Sequence, residues 1–223
     1  MGTDNLFHKN RRKTAKALER LKDSREKHTV IMIISEGKKT EPYYFAELIK
    51  HLGLNKASVF IPVKYGGNDP KKLAGMAKEE FENDPQGYNR VFVVFDRDTH
   101  TTFAAAIEMI SKLNKKHKDK FKAIISVPCF ELWLVLHFKF TAKPYQSLPG
   151  AKSVCDCVTD DLKKHIQNYE KGSTDTFKQT KHLLDDAIGN AEKLEKDRKS
   201  AGTDNPSTNV HHLIKYLREE LDK

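Results

Sequence analysis

RVFVVFDRD, residues 90–98, is the stretch on which the fold turns. Its run from Val91 to Phe95 is unbroken and β-branched or aromatic, which suits a strand buried on both faces of a parallel sheet. It ends on Asp96-Arg97-Asp98, where the chain leaves the strand. The same pattern repeats outward in both directions. TVIMII (29–34) stops at Ser35-Glu36-Gly37, and FKAIISV (121–127) stops at Pro128-Cys129-Phe130. SVFIPV (58–63) is a shorter strand in which Pro62 suits an edge or an end.

The intervening segments have helical spacing. In TEPYYFAELIKHLG (40–53), Thr40 is placed as N-cap, Pro42 falls in the first turn, Tyr44, Leu48 and Leu52 share a face, and Gly53 marks the stop. Helices are also expected from Lys71 to about Asn83, from Thr102 to about His117, and over Glu131–Phe138. Gly66-Gly67-Asn68-Asp69-Pro70 reads as a loop and Asp84-Pro85-Gln86-Gly87 as a turn. Strands alternating with helices predict an α/β fold. Its sheet is doubly wound, Rossmann-like, with about four mainly parallel strands flanked by helices and a helical C-terminal extension. Right-handed crossovers then bring the strand C-termini to one edge.

The expected division is a basic arm over 1–28, an α/β core over 29–140, and a mostly helical extension over 141–223 packed on the core. Within that extension 141–172 reads as irregular, 175–199 as one long polar helix that could meet a partner in a homodimer, and 207–221 as an amphipathic helix capped by Ser207 or Thr208. No internal repeat is visible.

Among the 223 residues, Lys and Arg number 40 against 31 Asp and Glu, a formal charge of +9. Residues 1–28 hold nine of those cations and four acids, the footprint of an arm that docks on phosphate or of a solvated terminal helix. No apolar run approaches a membrane span, and the polar start shows no secretory signal, so no membrane is expected as partner. The cysteines Cys129, Cys155 and Cys157 match no zinc or disulfide framework, which points to a reducing cytoplasm.

Ligands of open α/β sheets bind outside the carboxyl ends of the strands. This chain puts acids at three such ends: Glu36, then Asp96 and Asp98, then Glu131. Carboxylates gathered that closely repel one another, and a hard divalent cation resolves the conflict. The expected ligand set is Glu36, Asp96, Asp98 and Glu131 around Mg²⁺, with Mn²⁺ as a substitute. Lys38, Lys39, Arg97 and His100 flank the acids as phosphate-binding candidates. A strand-end acid that only caps a helix or faces solvent is the bland reading of each one taken alone.

These residues resemble the Toprim domain of topoisomerases, bacterial-type primases and overcoming-lysogenization-defect nucleases, which carry a Glu after the first strand and an Asp-x-Asp after the third. More narrowly, IISEGKKTEPYYF (33–45), VFVVFDRD (91–98), VPCFELWLVLHF (127–138) and NPSTNVHHLIKYL (205–217) resemble the RloB-like proteins, found beside restriction and abortive-infection genes. The resemblance implies a Toprim-like core with Glu36 as general acid/base and Asp96 and Asp98 as Mg²⁺ ligands. It also implies a phage-defence setting and partners from restriction loci. Glu131 belongs to the narrower motif, and its ligand role rests on position. The chain leaves little room for a catalytic-tyrosine domain, so direct hydrolysis of DNA or RNA is expected.

The rival is a catalytically silent nucleic-acid-binding or scaffold subunit, and a third reading is an enzyme acting on a nucleotide. Phe130, Trp133, Leu134, Leu136 and Phe138 are expected in the core rather than as a base-stacking platform. His211 and His212 could donate to phosphate, or simply decorate a surface helix. Gly66-Gly67 is no phosphate loop, since no Gly-Lys-Ser/Thr follows, so any ATPase would be a partner.

Overall fold

The computed structural model describes residues 30–55, 58–62, 64, 66–84, 87–97, 101–147 and 152–220. The proposed basic arm, Asp98 and His100 lie outside them. Five strands form one sheet: β1 (Ile31–Ser35), β2 (Val59–Phe60), β3 (Arg90–Asp96), β4 (Phe121–Val127) and β5 (Ser207–Thr208), in the order β2-β1-β3-β4-β5. The first four are mutually parallel, and β5 adds antiparallel to β4. The fold is α/β, as its sequence pattern predicts.

Each continuous apolar run serves two cores at once. Ile31, Ile33, Phe92 and Val94 face one side of the sheet, and Met32, Ile34, Val91, Val93 and Phe95 the other. Helices α2 (Pro70–Asn83) and α3 (Phe103–Lys116) cover the second face through Leu73, Phe81 and Ile110. The first face is covered by α1 (Thr40–His51) and α4 (Glu131–Phe138). Behind them lie α5 (Val154–Lys163), α6 (Thr176–Thr180), α7 (Leu184–Ala201) and α8 (Val210–Glu219). Among the described residues no helix is long and apolar enough to cross a membrane.

Several sequence expectations are corrected. The second strand spans only Val59–Phe60, next to Pro62. Segment 141–172 is not wholly irregular: Ser153 caps α5 in a reciprocal box with Asp156. The expected helix 175–199 breaks into α6, a 3₁₀ turn at Lys181–Leu183, and α7. At the break the Thr180 hydroxyl donates to the carbonyls of Thr176 (2.9 Å) and Phe177 (3.4 Å), the kind of back-bonding that bends helices. The apolar stripe of α7 (Leu184, Ala187, Ala191, Leu194) is buried within this chain, and Asn190 donates to the Leu136 carbonyl. Ser207 and Thr208 form β5 instead of opening the last helix, which starts after Asn209. Asn209 works as a strand mimic: its side chain accepts from Ile125 N and donates to Ala123 O, while its amide donates to Ile125 O.

The α4 sequence is apolar nearly all round, and Glu131 through His137 are buried, as befits an enclosed helix. The His137 ring fixes its own tautomer. Its Nδ1 lies 3.0 Å from the Trp133 carbonyl, which can only accept, so Nδ1 carries the proton and Nε2 accepts from the Tyr44 hydroxyl at 3.2 Å. Burial pushes His137 down to about 4. An unfolded histidine titrates near 6.5, so between those values the unfolded chain binds the extra proton and stability falls as pH falls. Going from pH 7 to 5 should cost the wild type about 2 kcal/mol that His137→Gln is spared. Urea midpoints at both pH values test this, and equal acid sensitivity of the two proteins would refute it.

Candidate functional site

The strand order reverses between β1 and β3. Glu36 leaves β1 and Asp96 ends β3 at that point, and the Asp96 amide donates to Glu36 Oε2 at 3.1 Å. This is the switch-point crevice where α/β sheets bind ligands. A cleft of about 580 Å³ opens there, lined by Glu36, Glu41, Asp96 and Glu131 and by Lys38, Lys39 and Lys171. The sequence-predicted acids Glu36, Asp96 and Glu131 are thus brought together with Lys38 and Lys39. Arg97 is not among the cleft-lining residues; its guanidinium pairs with Asp204.

Glu41 is a member that sequence reasoning missed, although it stands inside the motif that carries Glu36. It is only 6% exposed, and its Oε1 accepts the Gly37 amide at 3.1 Å. Burial, reinforced by Glu131 and Glu36, raises its carboxyl to about 7. A Cβ on Gly37 would lie 1.8 Å from the Glu41 carboxylate, so a larger residue there would push that carboxylate from its present place. Gly66 has the same character, with a notional Cβ 2.6 Å from the Lys38 Cα. The Gly66-Gly67 loop therefore contributes by letting two backbones close on one another, and the Gly67 amide donates to the Glu36 carbonyl.

Glu131 is 3% exposed at the start of α4. It accepts from the Tyr169 hydroxyl at 3.1 Å and pairs with Lys171 at 3.5 Å. Burial works against the Lys171 charge, yet Glu131 beside it holds the ammonium above the usual lysine range. Burial, with Glu131 next, also drives the Tyr169 hydroxyl upward, so it stays a donor. Tyr169 and Lys171 come from the stretch without periodicity. Their segment is tied down by the Gly172 amide donating to Thr40 Oγ1 at 2.9 Å; the Thr40 hydroxyl does this instead of capping α1. The clearest electrostatic mark is on Asp96, whose carboxyl is held well above the usual range by burial and then by Glu41, Glu131 and Glu36.

Phe130, Trp133, Leu134 and Leu136 are core residues, as expected. His211 corrects the surface reading: it is 1% exposed, while His212 is open to solvent. Burial of His211, two positions after Asn209, follows from β5 pulling the start of α8 onto the sheet.

A doubly wound sheet with an acidic, lysine-rimmed cleft at its switch point defines the class of open α/β folds that bind ligands outside the carboxyl ends of their strands. Within that class, the model of the family described as RloB-like protein matches residues 31–217, so this chain belongs to the RloB-like family. No curated protein and no solved structure matches the chain.

Proposed function

We propose that the protein is a Mg²⁺-dependent nuclease with a Toprim-like centre, hydrolysing phosphodiester bonds in DNA or RNA as part of a defence locus. The observation that carries this reading is the convergence of Glu36, Glu41, Asp96 and Glu131 on one lysine-rimmed cleft. Negative charge so concentrated opposes phosphate docking unless a cation is part of the working site.

The donor set fits such a cation, since every candidate ligand is a hard carboxylate oxygen. Among the described residues, no three of these acids place oxygens within 4.8 Å of one another. That spacing suits Mg²⁺, which takes one or two carboxylates and fills its shell with water and substrate phosphate. Two of Glu36, Asp96 and Glu131 would hold it, with Asp98 as the remaining sequence candidate. When bound, the ion neutralises charge on the scissile phosphate and lowers the pKa of water.

The chain's own groups do the rest. Glu36, its Oε2 oriented by the Asp96 amide, accepts and returns the proton. Lys38, Lys39 and Lys171 bind the flanking phosphates. Glu41 holds the Gly37 amide and so fixes the turn that carries Glu36. Phe130 forms an apolar wall that displaces water. Arg97 reaches phosphate only by leaving Asp204.

Cleavage of a panel of single- and double-stranded DNA, tRNA and other RNA tests the reading, run with Mg²⁺, Mn²⁺ and EDTA. Metal-dependent cutting is expected, lowered about 100-fold in Glu36→Gln. If wild type and Glu36→Gln bind nucleic acid equally and neither cuts, the catalytic reading fails in favour of a scaffold subunit.

A further inference from the structure

We infer that Glu195, His211 and His212 form a second metal site, for a borderline divalent ion of the Zn²⁺ type, at the junction of α7 and α8. It is separate from the acidic cleft and shares no residue with it.

Successive residues of a helix point about 100° apart, so two neighbouring histidines do not ordinarily serve one partner. Here they do. His211 Nε2 lies 3.2 Å and His212 Nε2 3.0 Å from the same oxygen, Glu195 Oε2. The two rings sit with centroids 4.1 Å apart, and the three ligand atoms all lie within 4.8 Å of one another. Around an ion with ligand bonds of about 2.0–2.1 Å, tetrahedral ligands are separated by roughly 3.3 Å. The two histidine-to-carboxylate distances are close to that edge length, so an ion could enter with small side-chain adjustments.

The second oxygen of Glu195 is already engaged: Oε1 accepts from Lys199 at 2.7 Å. That bond holds the carboxylate in place and leaves Oε2 to the histidines. Two imidazoles and one carboxylate form a mixed nitrogen–oxygen set, which favours Zn²⁺ over the hard Mg²⁺ suited to the cleft. Three protein ligands leave a fourth position for water. His212 is 54% exposed on its side chain, which supplies the entry path, while buried His211 anchors the set.

The placement gives the site a structural consequence. Glu195 lies near the end of α7 and the histidines in the first turn of α8, so an ion there would staple the two helices across residues 202–209. That segment carries β5 and Asp204, the partner of Arg97 beside Asp96.

The test uses untagged, metal-stripped full-length protein titrated with Zn²⁺ by calorimetry and with Co²⁺ by visible absorption. One ion per chain is expected at this site, read from tetrahedral Co²⁺ bands that an octahedral, all-oxygen site in the cleft would not give. His212→Ala, an exposed change, and the isosteric Glu195→Gln should each weaken binding at least about tenfold, with circular dichroism confirming that both variants fold. The double variant Glu36→Gln, Asp96→Asn should bind as wild type does. Absence of uptake at micromolar ion, unchanged affinity in His212→Ala, or loss in the cleft variant would each overturn the assignment. None of these outcomes depends on whether the cleft cuts nucleic acid.

Discussion

Asp96→Asn is expected to stabilise the metal-free protein while removing the cleavage activity proposed for the cleft. Asp96 stands at the end of the central strand, and burial plus three neighbouring carboxylates, Glu41, Glu131 and Glu36, oppose its charge. A carboxyl held above its unfolded value binds its proton more tightly when folded. Its contribution to stability is therefore full below the unfolded value near 4 and is lost as pH rises through the raised one. At neutral pH the ionised form is a net cost to the fold, and asparagine has the same shape without the charge. In EDTA the variant should be more stable than wild type, seen as a higher urea midpoint and a higher Tm. Its backbone amide still donates to Glu36, so the turn is preserved. Cleavage with Mg²⁺ should fall about 10²–10³-fold, the scale for losing one preorganised electrostatic group. Added Mg²⁺ should reverse the order of stabilities, because binding to the folded state stabilises wild type more. A variant less stable than wild type in EDTA would mean the acids are neutralised by something else. One that still cuts at the wild-type rate would remove Asp96 from the reaction.

The split between what was and was not legible in the sequence follows from what fixes each residue in space. Val91–Phe95 and Ile31–Ile34 announce a buried parallel sheet because the requirement to be apolar on both faces is local and leaves an unbroken run. With the strands known, the rule that ligands sit at their carboxyl ends places Glu36, Asp96 and Glu131 together with no tertiary information. Glu41 was missed because an acid in the first turn of a helix is commonplace at the surface; here that turn is buried from Thr40 to Pro42, and the charges of Glu131 and Glu36 add to the effect of burial. A hint was present in Gly37, where glycine leaves room for that carboxylate. Tyr169 and Lys171 had no local sign at all. Their position depends on Gly172 reaching Thr40, 132 residues away in sequence. Ser207 and Thr208 likewise carry no strand pattern, and become β5 because Ser126 and Val127 offer a free edge.

Trp133→Ala should be the most damaging change outside the cleft. The side chain is fully enclosed in α4, its ring meets the His137 imidazole edge-on at 5.0 Å, and its carbonyl receives that histidine's Nδ1 proton. Truncating a buried tryptophan costs about 3–5 kcal/mol in lost burial and residual cavity. A fold of this kind has about 5–15 kcal/mol in total, so the variant should be marginal at 37 °C or accumulate as aggregate. Trp133→Phe keeps most of the volume and should lose less than half as much, which keeps the measurement possible if the alanine variant cannot be isolated. The consequence extends to the site. Glu131 begins the same short helix two residues earlier and is held at its far side by Tyr169 and Lys171. A loosened α4 moves one of the four converging carboxylates, and misplacement by about 1 Å is enough to reduce catalysis some 100-fold. Trp133→Phe should accordingly lose more in cleavage than its urea midpoint suggests, with nucleic-acid binding unchanged. A change in activity no larger than the change in folded fraction would show that α4 supports the fold alone and does not position Glu131.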